Sequence, residues 1–301
     1  MHNIKTNFDK FLEITKSLFK TEVNRHKNFQ FYAVKPKMND LEIISLACCM
    51  EALSIDSENL LWSKLRKEFS SDFPNLIDRS RFNRRRKRMT PFIERLQQII
   101  SKKLDHKSQR LVIDSVPVPV IKMAREKTYK AFRKTFDTAP AKGYSAVNKG
   151  WFIGYKLHVV IFENGVVQQS GITKGNVHDI NFVKQLEDLP HGKELLGDRA
   201  YISKTVQADL FDQYEVKLKV PFRMNQNDYK KHPKKLKSAR QMVETFFAQM
   251  SDHLNLKRNY AKSFEGLLSR ITSKLSAMSL LHWVNNLNGK KLAQIKHALY
   301  F

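Results

Sequence analysis

The sequence is poor in cysteine and lacks long apolar stretches. Its two cysteines, Cys48 and Cys49, are adjacent within a helical pattern. They are therefore poorly placed to bond each other or to supply a zinc site with four ligands, and we interpret both as small buried residues. The longest strongly apolar stretch, residues 43–50, is much shorter than the roughly 20 residues that span a bilayer. These absences argue against a disulfide scaffold, a zinc module and a transmembrane protein.

The chain is also short of acids. Its 29 Asp and Glu residues face 54 Lys and Arg residues, which gives a formal net charge of +25 and a pI of about 10.0. Because the excess runs through the whole chain, it favours a polyanionic partner such as nucleic acid. Charge alone leaves a ribosome-associated or membrane-surface protein open as alternatives. Residues 1–5 show no secretory signal pattern, so we expect a cytoplasmic protein without a membrane partner.

The first third of the chain is predicted to be helical. Up to about Asp105, apolar residues recur at helical spacing and glycine is absent. Asn39 with Glu42 forms a capping box that opens one helix, Ser80 caps another, and Thr90 begins a further one. Helices are predicted at residues 39–53, 57–69, 81–89 and from 90 onwards. Short helices in series are typical of a helix-turn-helix module, so residues 1–105 are predicted to form an all-α DNA-binding domain.

The segment from 79 to 88 is the most basic in the sequence. We expect only Phe82 and Met89 to be buried there, which leaves the cations free for phosphates and base edges. The alternative is a solvated helix face without a ligand. The candidate DNA-binding residues in this segment are Arg79, Arg81, Arg84, Arg85, Arg86, Lys87 and Arg88.

From residue 106 to 301 the pattern becomes mixed, and we predict a second, α/β domain. An Asn164-Gly165 pair favours a hairpin between two strands. A polar, Lys-rich linker at 223–237 precedes a long helix that carries Glu244. The pattern favours a mainly parallel sheet covered on both faces. Strands are predicted at 110–114, 151–162, 165–172, 194–197 and 215–220, and helices at 178–189 and 203–214.

Two acids, Asp114 and Asp198, are each predicted to stand just past the end of an apolar strand. If the strands are neighbours, both acids emerge at one edge of the sheet, where functional groups of α/β proteins collect. Carboxylates suit hard divalent cations, and acids packed closely would otherwise repel each other. Glu244 borders the apolar stripe of its helix and is the candidate third ligand. The alternative for Glu244 is a surface pair with Arg240 one turn earlier.

Several residues near these acids have two interpretations. Asp179, which follows His178 at a predicted helix start, is either a helix cap or a support for catalysis. Tyr201 either stacks on a base or packs beneath Asp198. His158 is more simply a buried sheet residue than a DNA contact. The three tryptophans, Trp62, Trp151 and Trp283, are interpreted as core residues.

Sequence motifs around the acids resemble those of a known family. The matching segments are Val112-Ile113-Asp114-Ser115-Val116-Pro117, Gly154-Tyr155-Lys156-Leu157-His158, Gly175-Asn176-Val177-His178-Asp179, Leu196-Gly197-Asp198-Arg199-Ala200-Tyr201 and Arg240-Gln241-Met242-Val243-Glu244, with the basic segment from Arg79 to Arg85 in front. Over nearly its whole length the chain is similar to bacterial insertion-sequence transposases of the DDE type. The resemblance is closest to insertion sequence family nine-eight-two.

The resemblance implies an RNase H-like mixed five-stranded sheet with flanking helices and a pair of Mg²⁺ or Mn²⁺ ions held by Asp114, Asp198 and Glu244. It also implies cleavage at terminal inverted repeats and strand transfer into target DNA. Double-stranded DNA would be the partner, a dimer or larger oligomer would act on it, and the protein would associate with the bacterial nucleoid. Lys156 would lie near a phosphate.

The chain departs from related transposases at two positions. These often carry a Tyr before the Arg of the third motif and a Lys after its Glu, whereas Lys237 and Ser251 stand here. Lys257 or Arg258 could supply the missing cation at the terminal phosphate. Two further functions stay open, a nuclease of the same fold without strand transfer and a non-catalytic DNA-binding protein derived from a transposase. An RNA-binding module is less favoured, because neither aromatic-rich recognition strands nor a GXXG clamp is present.

Overall fold

The computed structural model describes residues 3–104, 108–132, 136–147, 149–221, 234–258 and 260–299. Contacts divide the chain into two compact units. We call Met1–Leu104 together with Met250–Phe301 the helical unit, and Asp105–Gln249 the sheet unit. The contacts therefore group residues 250–301 with the N-terminal helices. The predicted domains, 1–105 and 106–301, stay a prediction.

The helical unit is built from six helices among its described residues. The predicted capping box is present, because Asn39 accepts from the Glu42 backbone N–H and the Glu42 carboxylate accepts from the Asn39 N–H. The basic helix begins earlier than predicted, after Asp78 rather than Ser80. The helices are α1 (Ile4–Leu18), α2 (Asp40–Ala52), α3 (Glu58–Glu68), α4 (Arg79–Arg88), α5 (Thr90–Leu104) and α9 (Phe264–Leu287), and a 3-10 turn follows at Ile295–Ala298.

Helices α2 and α9 form the centre of the helical unit and are buried on nearly all sides. This core also contains charged side chains, because Glu51 of α2 pairs with Lys274 and Arg270 of α9. All three side chains are almost completely buried. Burial alone would raise the pKa of Glu51, but the charges of Lys274 and Arg270 outweigh it and lower that pKa below its usual value. The core therefore contains a buried ion triad whose most distant members, Glu51 and Lys274, are 223 positions apart in the sequence.

Neutralising Glu51 is expected to destabilise the protein strongly. The substitution Glu51→Gln leaves two buried cations without their acid, and breaking a buried pair in this way costs about 3–5 kcal/mol. Urea unfolding followed by circular dichroism measures the change. Glu68→Gln is the matched control, since the Lys64–Glu68 pair lies on the surface and is worth about 0.5 kcal/mol. Equal losses in the two variants would contradict the role of the triad.

The sheet unit contains one six-stranded mixed sheet within its described residues, in the order β2-β3-β1-β5-β6, with β4 also paired to β3. The pairings of β3 with β1, β2 and β4 are antiparallel, and those of β5 with β1 and β6 are parallel. The strands are β1 (Arg110–Ile121), β2 (Ala141–Ser145), β3 (Gly150–Phe162), β4 (Val167–Lys174), β5 (Glu194–Leu196) and β6 (Lys217–Lys219), with helices α6 (Ile180–Val183), α7 (Lys204–Tyr214) and α8 (Lys234–Asp252).

Several sequence predictions for this unit need correction. The sheet is mixed, as the resemblance implies, whereas the mainly parallel sheet expected from the strand pattern is wrong, because β3 pairs antiparallel with β1, β2 and β4. β1 continues seven residues past Asp114 to Ile121, and β2 was not predicted. The helix predicted at 178–189 is the single turn α6. Of the predicted Lys-rich linker at 223–237, residues 223–233 lie outside the described residues, and the expectation is wrong for 234–237, because α8 already begins at Lys234.

Burial confirms some side-chain predictions and overturns one. Cys48 and Cys49 are fully buried, as expected, and Trp62 is buried against Phe82. Trp151 is not a core residue, since 59% of it is exposed and it packs edge-on against the equally exposed Tyr144. No helix in the described ranges is both long and apolar enough to cross a membrane.

Candidate active site

Asp114 and Asp198 are brought together by the parallel pairing of β1 with β5. The last paired residues are Val112 and Leu196, and each acid stands two residues beyond its partner in that register. Equal offsets on parallel strands place both side chains at the same level. Asp198 stands two residues past the end of β5, close to the predicted place, whereas Asp114 lies inside β1 opposite Val159 of β3. The expectation that Asp114 ends a strand is therefore wrong, although its place beside Asp198 is not.

The Asp114 carboxylate is half-buried and electrostatically unfavourable in the metal-free protein. Its pKa is raised to about 6, mainly by burial and in addition by the charges of Asp198 and Asp179, while a hydrogen bond from the Ser115 N–H and the charge of Arg240 lower it. Asp198 accepts a hydrogen bond from the Ala200 N–H at 2.8 Å. A carboxyl whose pKa is raised by burial and by a neighbouring acid is typical of functional sites, and a bound cation would favour its charged form.

Tyr201 packs against Gly197, the residue before the second acid. It is fully buried, and its ring lies so close to Gly197 that an added Cβ would meet the ring at 3.0 Å. Its hydroxyl makes no hydrogen bond among the described residues. Burial raises the pKa of Tyr201, and the charges of Asp179, Asp114 and Asp198 also raise it. This burial fits the interpretation that Tyr201 packs near Asp198 better than stacking on a base.

Lys156 and Asp179 form an ion pair beside the two acids. The Lys156 ammonium donates to Asp179 Oδ1 at 2.8 Å and to the Val177 carbonyl at 2.9 Å. Asp179 stands at the N-cap of α6 but makes no capping hydrogen bond with its side chain. Its carboxylate therefore pairs with Lys156 rather than with the N-terminus of the helix. Its charge also raises the pKa of Asp114. The sequence motif singled out Lys156, but it gave no indication that Asp179 is its partner.

The two histidines near the site differ in burial. His158 is fully buried, stacks on Phe182 and shares a 2.8 Å hydrogen bond between its Nε2 and Thr173 Oγ1. Burial lowers its pKa to about 4, so the ring is neutral at physiological pH. This matches the interpretation of His158 as a sheet residue. His178 is exposed, and its Nδ1 accepts from the Ile180 N–H.

Helix α8 carries Arg240 and Glu244 one turn apart. The Arg240 charge lowers the pKa of Asp114, which places this turn of α8 near the acid pair. Glu244 is exposed and flanks the buried Val243. Across the parts of the chain that the structure describes, no group of three or more His, Cys, Asp or Glu side chains is close enough to hold a metal ion.

The residues present fit a divalent cation at Asp114 and Asp198. Hard cations take carboxylate oxygens, and a cation would reverse the repulsion that raises the pKa of Asp114. The pair supplies two carboxylates at one level of the sheet, with free oxygens besides those that accept from Ser115 and Ala200. It therefore offers protein ligands for a metal, while the third ligand stays a prediction.

The basic helix α4 is less exposed than predicted. Arg85 pairs with the buried Asp40 at 2.6 Å, and Arg86 pairs with Glu58 at 3.1 Å while only 2% of it is exposed. The expectation that only Phe82 and Met89 are buried is therefore wrong, because two acids from other helices draw these guanidinium groups inward. The exposed cations of the predicted DNA-binding set are Arg79, Arg81, Arg84, Arg88 and Lys257, and Lys87 is half-exposed.

Removing the charge of Asp114 is expected to stabilise the metal-free protein. Its pKa is raised from 3.8 to about 6, so folding loses stability as pH rises through that window. The substitution Asp114→Asn avoids this loss and should raise the free energy of unfolding by about 1 kcal/mol above pH 7. A pKa shift of this size in a fully buried group would give about 3 kcal/mol, and the partial exposure of Asp114 reduces that value.

Thermal unfolding at pH 5 and pH 7.5, in the presence of a chelator, measures the difference. The advantage of Asp114→Asn should be larger at pH 7.5. The control is Asp212→Asn, which removes an exposed acid of α7 in the same unit. A variant that is less stable than the parent at pH 7.5 would contradict the unfavourable charge.

Residues 104–263 match the family model described as transposase DDE domain, which covers more than half of the chain. No curated protein matches the sequence, and no solved structure matches the fold. The mixed sheet with flanking helices is compatible with a DDE transposase fold, and Asp114, Asp198 and Glu244 all lie inside the matched region. The chain belongs to the transposase DDE domain family.

Proposed function

We propose that this protein is the transposase of a bacterial insertion sequence, resembling insertion sequence family nine-eight-two, that cleaves DNA at terminal inverted repeats and transfers the ends into target DNA. The observation that carries the proposal is the equal offset of Asp114 and Asp198 beyond the Val112–Leu196 pair, inside a region that matches the DDE domain. Adjacent carboxylates on paired parallel strands suit a metal-dependent phosphodiester reaction.

Asp114, Asp198 and Glu244 would hold two Mg²⁺ or Mn²⁺ ions. When bound, such ions activate a water or 3′-hydroxyl and stabilise the leaving oxygen at phosphorus. For Glu244, support comes from its motif and from Arg240, whose charge acts on Asp114 from one turn earlier in α8. Among the residues that the structure describes, the exposed Glu244 carboxylate has no hydrogen bond or ion pair that would hold it away from the pair.

The surrounding residues would position the acids. Lys156 holds Asp179 by a 2.8 Å ion pair, which keeps a third negative charge fixed beside Asp114. Tyr201 supports the backbone at Gly197, the residue before the second acid. His178 is exposed beside Asp179, where it can meet substrate. These four residues orient charge around the site, and the acids carry the chemistry.

DNA recognition would use the helical unit as a helix-turn-helix module, while the sheet unit would have the RNase H-like fold. The exposed cations of α4 suit phosphate contacts, and Lys257 adds another in the helical unit. Synapsis of two ends would require a dimer or larger oligomer. We place such a protein in the bacterial cytoplasm, associated with the nucleoid.

Asp114→Asn is expected to abolish metal-dependent cleavage of inverted-repeat DNA, with a loss of at least about 10³-fold, because the two remaining acids cannot hold both ions. The matched control, Asp212→Asn, should cleave at the parental rate. A strand-transfer assay with pre-cleaved ends separates a transposase from a nuclease of the same fold. Normal cleavage by Asp114→Asn with Mg²⁺ would overturn the assignment.

The third ligand can be identified by comparing Glu244→Gln with Asp179→Asn. We expect Glu244→Gln to abolish cleavage and to weaken Mn²⁺ binding in calorimetry, whereas Asp179→Asn should lower the rate about tenfold through loss of the Lys156 pair. Asp198→Ala should remove Mn²⁺ binding and serves as the reference. If Glu244→Gln were active and Asp179→Asn inactive, Asp179 would be the third ligand instead.

A further inference from the structure

The helical unit buries more positive than negative charge in one ion network. Arg86, Arg270 and Lys274 are the cations, and Glu51 and Glu58 are the acids. All five side chains are at most 9% exposed. Three cations therefore face two acids where water screens little, and an unbalanced charge in such a place is costly. An anion bound beside the network would balance it.

Arg86 is the incompletely paired member of this network. Its Nη2 lies 3.1 Å from Glu58 Oε1, while its Nε and Nη1 are buried without a hydrogen-bond partner among the described residues. Glu58 does not fully compensate the charge of Arg86, because its carboxylate also accepts from Asn83 at 2.9 Å and pairs with Arg79 at 3.5 Å. Burial lowers the pKa of Arg86, but a guanidinium stays protonated at physiological pH. A fixed cation thus remains with unused donors.

A cavity of about 750 Å³ adjoins this cation. Its wall includes five cations but two acids, Asp56 and Glu58. The cations are Arg79, Arg86, Lys87, Lys262 and Arg270. A volume of this size accommodates a nucleotide-sized group. The balance of charge in the wall favours an anion over a cation or a neutral ligand.

Two helices also begin at this cavity. Ser57, the N-cap of α3, and Ser263, the N-cap of α9, both line it. The N-terminal N–H groups and dipoles of helices 11 and 24 residues long favour negative charge. The Lys87 side chain lies beside the first turn of α9, 3.7 Å from where a Cβ on Gly266 would stand. Helix ends and side-chain cations therefore converge on one space.

We propose that this cavity binds a phosphate group, and that a DNA strand supplies it. The second part rests on the proposed function. Lys87 and Lys262 would contact the phosphate oxygens at the mouth, while Arg86 would act from below as a buried, weakly screened charge.

One feature favours DNA over a small free anion. Tyr260 lines the same cavity with 70% of its surface exposed, where its ring can stack on a base next to a bound phosphate. A free phosphate would not use this ring.

The test compares the full chain with the double variant Lys87→Gln/Lys262→Gln. Neither lysine is buried, so both changes should leave the fold intact, which unfolding in chloride verifies. The matched control is Lys16→Gln/Lys20→Gln, which removes the same charge from exposed positions of the helical unit away from the cavity. Inorganic phosphate against chloride at equal ionic strength is the first probe, and inverted-repeat duplex DNA is the second.

We expect about 20 mM phosphate to raise the unfolding midpoint of the parent and the control by about 2–4 °C and that of the cavity variant by under 1 °C. For DNA, the slope of log affinity against log salt should fall by about 0.9 in the cavity variant, the value for one lost phosphate contact. Its affinity should fall about 5–10-fold more than that of the control at 0.1 M salt.

Equal stabilisation of all three proteins by phosphate would overturn the phosphate site. Loss of phosphate stabilisation in the cavity variant, with DNA binding equal to that of the control, would show that a free anion is the ligand and overturn the role of DNA. If the parent bound no DNA, the proposed function would fail, whereas the phosphate measurement would still decide whether the cavity is an anion site.

Discussion

The parallel pairing of β1 with β5 is the constraint on which the candidate site depends. It ends at Val112 and Leu196, so that the next two residues of each strand lead to an acid without further ladder bonds between them. On its other side β1 stays paired with β3 through Asp114 and beyond, which fixes the first acid rigidly. The cost is a half-buried carboxylate whose pKa is raised to about 6. A bound cation would convert this unfavourable charge into a binding site.

The two units hold opposite charge imbalances. The sheet unit concentrates Asp114, Asp179 and Asp198 at one place, although the chain as a whole has a formal net charge of +25. The helical unit instead buries one cation more than its acids in the network around Glu51 and Glu58. Each imbalance calls for a ligand of the other sign, a metal in one unit and a phosphate in the other. A metal-dependent enzyme that acts on a polyanion needs both, because the acids alone would repel the substrate.

Local patterns were sufficient to predict some of this fold, and partners distant in sequence account for what was missed. The Asn39–Glu42 capping box and the strand that leads to Asp198 depend on a few consecutive residues. The continuation of β1 could not be predicted, because Pro117 and Pro119 are usual strand breakers. They are tolerated since β1 lacks its β5 neighbour there, and a proline on an unpaired edge loses no ladder bond. Arg86 was expected to be free because Glu58, which draws it inward, lies on another helix.

Charge balance bears on the third acid of the site. Two divalent ions carry four positive charges, and Asp114 with Asp198 offset only two of them. Asp179 already has Lys156 as its counterion at 2.8 Å, so bringing it to a metal would leave a partly buried ammonium with the Val177 carbonyl but without its acid. Glu244 is exposed and has no ion pair among the described residues that a metal would break. Arg240, one turn away, is already close enough to lower the pKa of Asp114. A carboxylate that joins the ions without breaking an existing pair adds its whole charge to the site, which favours Glu244 over Asp179, with the substrate phosphate offsetting the remaining charge.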